Sequence, residues 1–171
     1  SFADMITDAG FQKFLVQRDF ESEIQRDRFA SVAFWTNMFL SVLIWVMISL
    51  FNEQIAIMVG SPGLGIVIII SGLQVLLTAF TSIQIALIKR DLQFKKLFIL
   101  RLSNIIIPFV ITIPLALLNF SYWAIIIANL AIYVVNIIIL LINDGWRPKI
   151  YFSLSDLKEM FSFSGWTLLE S

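Results

Sequence analysis

The chain has 171 residues, of which 59% are hydrophobic and 14% are charged, and its mean hydropathy is +0.90. This composition leaves too little polar material to coat a water-soluble core, so we predict a membrane protein. The 12 basic and 12 acidic residues cancel. Because the sequence contains no Cys and no His, it excludes disulfides, thiolate or imidazole metal sites, and Cys or His nucleophiles within these residues. We expect no cofactor, no metal and no nucleic-acid partner.

The first half of the chain contains two runs long enough to cross a bilayer. Segment 1–17 mixes polar and apolar residues and is interpreted as the last turns of a helix already crossing the membrane. The charged segment 18–28 is predicted to be a water-facing connector. Residues 29–51 carry no charge and form the first complete span. Connector 52–65, with its Ser-Pro-Gly turn signature, leads to a second span at 66–88.

The second half begins with a basic hinge at 89–96, after which residues 102–143 contain no charged side chain. This run is twice as long as one crossing requires, so it must fold back on itself. The sharpest break is 119–123, where turn-favouring Asn and Ser adjoin Tyr and Trp, which prefer the headgroup level. We therefore predict a third span at 97–118 and a fourth at 122–142.

The predicted fold is all-α: an antiparallel bundle of transmembrane helices with four complete spans and partial flanking helices. Pro108 and Pro114 fall inside the third span and favour a kink. Residues 155–163 place apolar and charged side chains on opposite faces, which predicts a short interfacial helix. We interpret residues 1–171 as a single transmembrane domain and as a fragment of a longer protein.

The basic residues predict the orientation. All of them lie in or beside the three connectors of one face: Lys13, Arg18, Arg26, Arg28, Lys89, Arg90, Lys95, Lys96, Arg101, Arg147, Lys149 and Lys158. Connectors 52–65 and 119–121 have no cation. By the positive-inside rule the basic face is cytoplasmic, and the two hairpins point outward.

Each predicted span carries its polar side chains on one stripe. The stripes are Asn37, Ser41 and Trp45; Ser71, Gln74, Thr78 and Thr81; Arg101, Asn104, Pro108 and Thr112; and Tyr122, Asn129, Asn136 and Asn143, with Tyr133 between. Such residues can hold helices together by interhelical hydrogen bonds, or they can line a shared wet cavity. Arg101 has two interpretations as well: its side chain extends to the cytoplasmic interface, or it belongs to a site.

Six segments of the chain, taken in order, are distinctive: Asp8-Ala-Gly-Phe11, Leu15-Val-Gln-Arg18, Ala33-Phe-Trp-Thr-Asn37, Ala86-Leu-Ile-Lys-Arg-Asp-Leu-Gln-Phe94, Trp146-Arg-Pro148 and Phe152-Ser-Leu154. In this order and spacing they resemble the polysaccharide flippase family of the multidrug/oligosaccharidyl-lipid/polysaccharide exporter superfamily. The resemblance covers nearly the whole chain. Lys13, preceded by Gln12, departs from the small residues expected there.

The resemblance implies a multi-pass protein of the bacterial cytoplasmic (inner) membrane that is a transporter and not an enzyme. Members of this family have two pseudo-symmetric lobes and move an undecaprenyl-pyrophosphate-linked oligosaccharide between leaflets by alternating access. The chain would be a partial N-terminal lobe, from the end of the second helix to the start of the seventh. The implied partners are that lipid-linked oligosaccharide, membrane lipid and other polysaccharide assembly proteins.

The candidate substrate-binding residues are the polar stripe members together with one lysine: Arg101, Asn104, Gln74, Thr78, Asn129, Asn136, Asn37 and Lys13. We expect Arg101 to hold the anionic pyrophosphate at the cytoplasmic mouth, because a guanidinium donates paired hydrogen bonds to phosphate oxygens. Asn104, one turn deeper, would then meet the first sugar.

Two other function classes stay open. A drug or cation antiporter of the same superfamily should carry an acid within a span, and only Asp8 qualifies. A membrane polymerase or ligase acting on the same glycolipids would need a large hydrophilic outward loop with Arg, Asp or His, whereas the outward connectors here are short and lack cations.

Overall fold

A computed structural model describes residues 11–143 and 146–169 of the protein. Regular structure in that part is entirely helical: α1 at 11–17, α2 at Glu23–Leu50, α3 at Asn52–Met58, α4 at Gly65–Arg90, α5 at Phe94–Leu117, α6 at Tyr122–Asn143 and α7 at Leu154–Leu169. Four of these helices, α2, α4, α5 and α6, are long and apolar enough to cross a membrane. The predicted all-α bundle with four spans is confirmed.

The helix of the first span begins at Glu23 rather than at 29. Ser22 is its N-cap, and the Ser22 hydroxyl accepts a hydrogen bond of 3.2 Å from the backbone N–H of Gln25. The Gln25 side-chain carbonyl accepts in turn from the N–H of Glu21 at 2.9 Å. This reciprocal capping satisfies backbone donors that the helix start would leave free. The helix therefore begins inside the predicted connector 18–28, and the charged residues from Glu23 onward are helical.

The connector after the first span contains a short helix, α3, that was not predicted. The carboxylate of Glu53 at the start of α3 accepts a 2.9 Å hydrogen bond from the backbone N–H of Gly63. Gly60 and Gly63 have φ angles of +77° and +85°, in the left-handed region that glycine adopts without steric cost. The Ser-Pro-Gly turn thus lies where predicted, and the residues before it are helical.

The turn between α5 and α6 falls at the predicted break. Asn119 and Ser121 have positive φ angles of 61° and 51°, and the backbone N–H of Phe120 bonds to the carbonyl of Leu115 at 3.0 Å. Asn tolerates the left-handed conformation better than most residues, which explains its place here. α5 is continuous through Pro108 and Pro114, as expected of a transmembrane helix that tolerates proline.

α4 is the central helix of the bundle. It packs against α2, α3, α5 and α6, whereas α5 packs mainly against α6. Small residues of α4 permit close approach to α2: a Cβ on Gly72 would lie 3.1 Å from Cδ1 of Trp45. Only Leu100 of α5 is buried, so most of that helix is exposed in this part of the protein.

The main apolar core lies at one end of the bundle. It contains Phe14 and Leu15 of α1, Phe29, Phe34 and neighbours of α2, Ile83, Ala86 and Leu87 of α4, and Trp146 and Met160. Phe14 packs against Phe29 with ring centroids 5.4 Å apart. Such aromatic pairs contribute about 0.5–1.5 kcal/mol beyond their burial. This core joins α1 and α7 to the two spans α2 and α4.

The three basic connectors meet at that same end. The guanidinium of Arg90 donates to the carbonyl of Leu15 at 2.9 Å, and also to the carbonyl of Arg18. Arg28 donates to the hydroxyl of Tyr151 at 2.6 Å. We call the region formed by residues 18–22, 91–93 and 146–153 the basic end. These connectors lie at one end of the bundle, as expected from the placement of the cations along the sequence.

Candidate functional site

Polar side chains of α4, α5 and α6 form a line that we call the polar seam. Its members are Gln74, Arg101, Asn104, Asn129, Tyr133 and Asn136. On α6, positions 129, 133 and 136 lie on one helical face because they are three or four residues apart. Positions 101 and 104 of α5 share a face for the same reason. The seam thus includes five of the eight predicted site residues, together with Tyr133.

An amide pair joins α5 and α6 in the seam. The Asn136 side-chain amide donates a 2.8 Å hydrogen bond to the side-chain oxygen of Asn104. Asn136 is 5% exposed, and its own side-chain oxygen has no hydrogen-bond partner within the described residues. Asn104 is exposed. One end of this pair is therefore held inside the bundle while the other reaches the surface.

A second pair joins α4 and α6. The side-chain amide of Gln74 donates a 2.8 Å hydrogen bond to the hydroxyl of Tyr133. Gln74 is exposed and Tyr133 is half-buried. Tyr133 was not among the predicted site residues, although its position four residues after Asn129 on the same stripe could have indicated it. The hydroxyl remains able to donate a hydrogen bond of its own.

Arg101 and Asn129 continue the seam in opposite directions. Arg101 is exposed one turn before Asn104, and no hydrogen bond or ion pair of its side chain is found within residues 11–143 and 146–169. It lies seven residues into α5, about 10 Å along the helix from the basic end. Asn129 is exposed one turn before Tyr133. Thr78, one turn after Gln74 on α4, is half-buried.

The polar stripe of α2 does not join the seam. The Asn37 side chain is 1% exposed between α2 and α4, where its amide donates to the hydroxyl of Ser82 at 2.8 Å. Ser41 is buried as well, and the indole N–H of Trp45 donates to the carbonyl of Ile69 at 3.1 Å. These contacts are interhelical packing contacts. On this stripe the structure places hydrogen bonds between helices and not a cavity wall.

Lys13 and Asp8 are the remaining residues singled out from the sequence. Lys13 is exposed on α1, and no hydrogen bond or ion pair within the described part links it to the polar seam. Asp8, on which the antiporter alternative depends, lies outside the described residues.

The chemistry available along the seam is that of binding. It offers amide donors and acceptors, a phenol and one guanidinium, and α4, α5 and α6 contain neither Asp nor Glu. Among the described residues, no group of three or more His, Cys, Asp or Glu could hold a metal ion. Neutral amides beside a cation suit a ligand that carries both hydroxyl groups and negative charge.

An apolar groove lies between α2, the 146–153 connector and α7. Its volume is about 720 Å³, and its walls include Trp35, Phe39, Leu40, Tyr151, Phe152 and Leu157. The indole N–H of Trp35 donates to the carbonyl of Lys149 at 2.9 Å and holds the connector against α2. The sequence predicted the amphipathic helix that forms one wall but not the groove, because the pattern does not show which helix faces α7.

Comparison with known proteins gives the family. The family model described as "Polysaccharide biosynthesis protein" matches residues 1–171. The chain is 22% identical to the lipopolysaccharide biosynthesis protein WzxC of Escherichia coli strain K12 over 177 residues, which cover 100% of this chain and 34% of the relative. The chain thus spans about a third of the length of that relative. No solved structure matches the chain significantly.

The predicted family resemblance and membrane location are confirmed by these findings. The four long apolar helices and the match over the full chain make this a multi-pass protein of the bacterial cytoplasmic membrane. The chain belongs to the polysaccharide biosynthesis protein family.

Proposed function

We propose that this chain forms part of a flippase that exports a lipid-linked oligosaccharide across the cytoplasmic membrane by alternating access. The carrier would be an undecaprenyl-pyrophosphate lipid, and the chain would supply part of the cavity wall in the N-terminal lobe of the longer protein. The observation that carries the proposal is the polar seam, in which Arg101 is exposed one turn from the Asn104–Asn136 amide pair and the Gln74–Tyr133 pair follows on α4 and α6.

The two hydrogen-bonded pairs, Asn104–Asn136 and Gln74–Tyr133, could bind the hydroxyl groups of a sugar chain. Interhelical hydrogen bonds in membranes contribute only about 0.6–2 kcal/mol each, so a sugar hydroxyl can compete for the same groups. The Tyr133 hydroxyl accepts from Gln74 and can still donate a hydrogen bond to a sugar oxygen. Asn104 and Gln74 are exposed and accessible from the surface of the bundle. Binding of this kind is weak and reversible, as transport requires.

Arg101 suits the anionic end of the same ligand. Its guanidinium can donate two parallel hydrogen bonds to phosphate oxygens, and charge-assisted bonds are about twice as strong as neutral ones. Asn104 follows one turn deeper on the same face of α5. A pyrophosphate at Arg101 would therefore place the attached sugar next to Asn104. The competing interpretation is that Arg101 only extends to the interface, where any long cation would serve.

The seam favours a flippase over the two alternatives. An antiporter would use an ionisable acid in the membrane, and α4, α5 and α6 have none. A polymerase or ligase would place reactive groups on a large outward loop, but 52–65 and 118–121 are short and carry no cation. We therefore propose transport without covalent chemistry.

Substitution of Arg101 in the full-length protein tests the site. We expect Arg101→Lys and Arg101→Gln to reduce export of the cell-surface polysaccharide by about tenfold or more, because Lys cannot reproduce the paired hydrogen bonds. Lys95→Gln is the matched control, since Lys95 is exposed on another face of the same helix. Membrane levels of each variant are measured in parallel. Wild-type export in both Arg101→Lys and Arg101→Gln would exclude the site.

A further inference from the structure

The apolar groove between α2 and α7 is separate from the polar seam. It lies along the face of α2 that carries Trp35 and Phe39, whereas α4 packs on the face that carries Asn37 and Ser41. Its volume of about 720 Å³ is within the range of about 300–1,000 Å³ typical of ligand pockets. Its wall residues are aromatic and aliphatic, so its occupant must be apolar along most of its length.

The groove is continuous with a longer apolar strip on α2. Phe39 is 66% exposed and Leu50 is 70% exposed, and the side chains at 42, 43 and 46 between them are exposed on the same face. From Phe39 to Leu50 this strip is about 16 Å long at the helical rise per residue. An extended hydrocarbon chain lying in the groove would continue along the strip without meeting a polar group.

Cations lie next to the groove residues of the 146–153 connector, since Arg28 contacts Tyr151 and Lys149 directly precedes Ile150. Arg28 stacks on the ring of Tyr151 at 5.0 Å and donates to its hydroxyl, which fixes a guanidinium at a groove wall. Lys149 is 67% exposed, and its ammonium is 3.8 Å from Asp27. Arg147 is exposed and has no ion pair within the described residues. Among the described residues, Lys149 is paired with Asp27 and Arg28 with Asp156, and Arg147 adds a further cation two residues before Lys149.

We infer that this groove binds one acyl chain of an anionic phospholipid, with the phosphate headgroup beside Lys149 and Arg147. The occupant follows from the arrangement: positive charge at the interfacial end, aromatic walls next to it, and an apolar strip leading into the bilayer. Tyr and Trp are suited to this depth because their rings are apolar and their polar atoms bond at the headgroup level. The backbone N–H of Lys149 donates to Ser31 and its carbonyl accepts from Trp35, so the position from which the lysine side chain extends is fixed.

Bound lipid would join α7 to α2. Leu157 of α7 and Phe39 of α2 are opposite walls of the groove, and an acyl chain between them would contact both. On the groove side, Arg28 of α2 donates to Tyr151 of the 146–153 connector at 2.6 Å and to Asp156 of α7 at 3.5 Å. The lipid would therefore add apolar contact on the groove side to the apolar contact that Met160 of α7 already makes with α2 in the main core.

The experiment uses the full-length protein in nanodiscs that contain a photoactivatable phosphatidylglycerol with the reactive group in its acyl chain. Mass spectrometry of the digested protein locates the adducts. We expect adducts on the groove residues Phe39 and Leu157 in excess of those on Phe109 of α5, which is as exposed as Phe39 but does not line this groove. Phosphatidylcholine with the same reactive chain should label the groove about fivefold less, the factor expected for one cation near an anionic surface.

The charge variant Lys149→Gln should reduce groove labelling by phosphatidylglycerol by a similar factor, whereas Lys95→Gln should leave it unchanged. Groove-filling Leu157→Trp should reduce labelling by both lipids. Equal labelling of groove and Phe109, or equal labelling by the two lipids, would overturn the inference. Adducts absent from the groove together with chemical cross-links from Phe152→Cys to a later segment of the full-length chain would show that protein occupies it instead.

Discussion

Asparagine side chains at membrane depth have two different environments in this protein. Asn37 is buried and bonded to Ser82 of the neighbouring helix, whereas Asn129 is exposed on the polar seam. A buried amide that loses its partner is costly, since no water replaces the lost hydrogen bond. An exposed amide can be removed without leaving a buried group unpaired. The two positions therefore distinguish an amide that holds two helices together from an amide that we propose binds the ligand.

We expect Asn37→Ala to lower the stability of the full-length protein by about 1–3 kcal/mol, because it removes the amide that donates to the Ser82 hydroxyl and creates a small cavity. Asn129→Ala should change stability by less than about 0.5 kcal/mol while reducing polysaccharide export. Unfolding in mixed detergent micelles measures the first quantity and surface polysaccharide the second. Equal destabilisation by the two substitutions would contradict the assignment.

At the residue scale, the sequence predicts which polar side chains share a helix face, but it does not predict which helix that face contacts. A period of 3.6 places Asn104 and Asn136 each on one face of its helix, yet it carries no information on which helix that face meets. The bonds Asn104 to Asn136 and Gln74 to Tyr133 depend on how α4, α5 and α6 pack. For the same reason the sequence places Asn37 among the candidate substrate-binding residues, whereas its side chain lies between α2 and α4.

Among the helices, α4 determines the packing because it contacts four others. Gly72 lets it approach α2, since a Cβ there would lie 3.1 Å from Trp45 Cδ1 and 3.5 Å from a methyl carbon of Ile48. Membrane helices use small residues in this way because close backbone approach increases van der Waals contact. The neighbouring Ser71 is exposed and has no such constraint.

A larger side chain at Gly72 should therefore disturb the α2–α4 contact. We expect Gly72→Leu to destabilise the protein by about 1–3 kcal/mol, the usual cost of overpacking, whereas Ser71→Leu should cost less than about 0.5 kcal/mol. Thermal unfolding of the purified full-length protein, followed by tryptophan fluorescence, distinguishes them. A tolerated Gly72→Leu beside a damaging Ser71→Leu would show that α4 presents its other face to α2.

At the scale of elements, uncharged runs identified the spans well because hydrocarbon excludes charge. The ends were less predictable. α2 extends to Glu23 through the Ser22 and Gln25 capping interactions, and α3 occupies a connector with no apolar run long enough to suggest it. α7 continues to Leu169, beyond the predicted 163. Local capping and packing decide these boundaries, whereas the composition of a window decides only the spans.

For the whole molecule, the placement of the cations along the sequence and the packing of the helices both bring the basic connectors to one end of the bundle. Contacts between the basic connectors, such as Arg26 with Asp91 at 3.8 Å, bring them to one end of the bundle, and the α5–α6 turn and α3 belong to connectors of the opposite face. That the basic end is cytoplasmic stays a prediction from the charge bias. With this orientation, Arg101 lies near the leaflet from which an anionic lipid carrier would enter.

The exposure of the seam fits a lobe of a larger transporter. Gln74, Asn104 and Asn129 are exposed although lipid would disfavour them, so a facing surface or a water-filled cavity must cover them in the membrane. The chain covers 34% of its relative WzxC, and the remaining length is ample for a second lobe to complete a cavity. The assembly that we propose would cover these polar side chains and so avoid the cost of exposing them to lipid.

The most direct test is transport by the full-length protein in proteoliposomes. A fluorescent undecaprenyl-pyrophosphate-linked oligosaccharide is added to one leaflet, and its movement is followed by its protection from a membrane-impermeant quencher. We predict that the wild-type protein accelerates this movement well above protein-free liposomes and that Arg101→Gln slows it, while Lys95→Gln does not. Folded wild-type protein that moves the lipid-linked oligosaccharide no faster than protein-free liposomes would contradict the account.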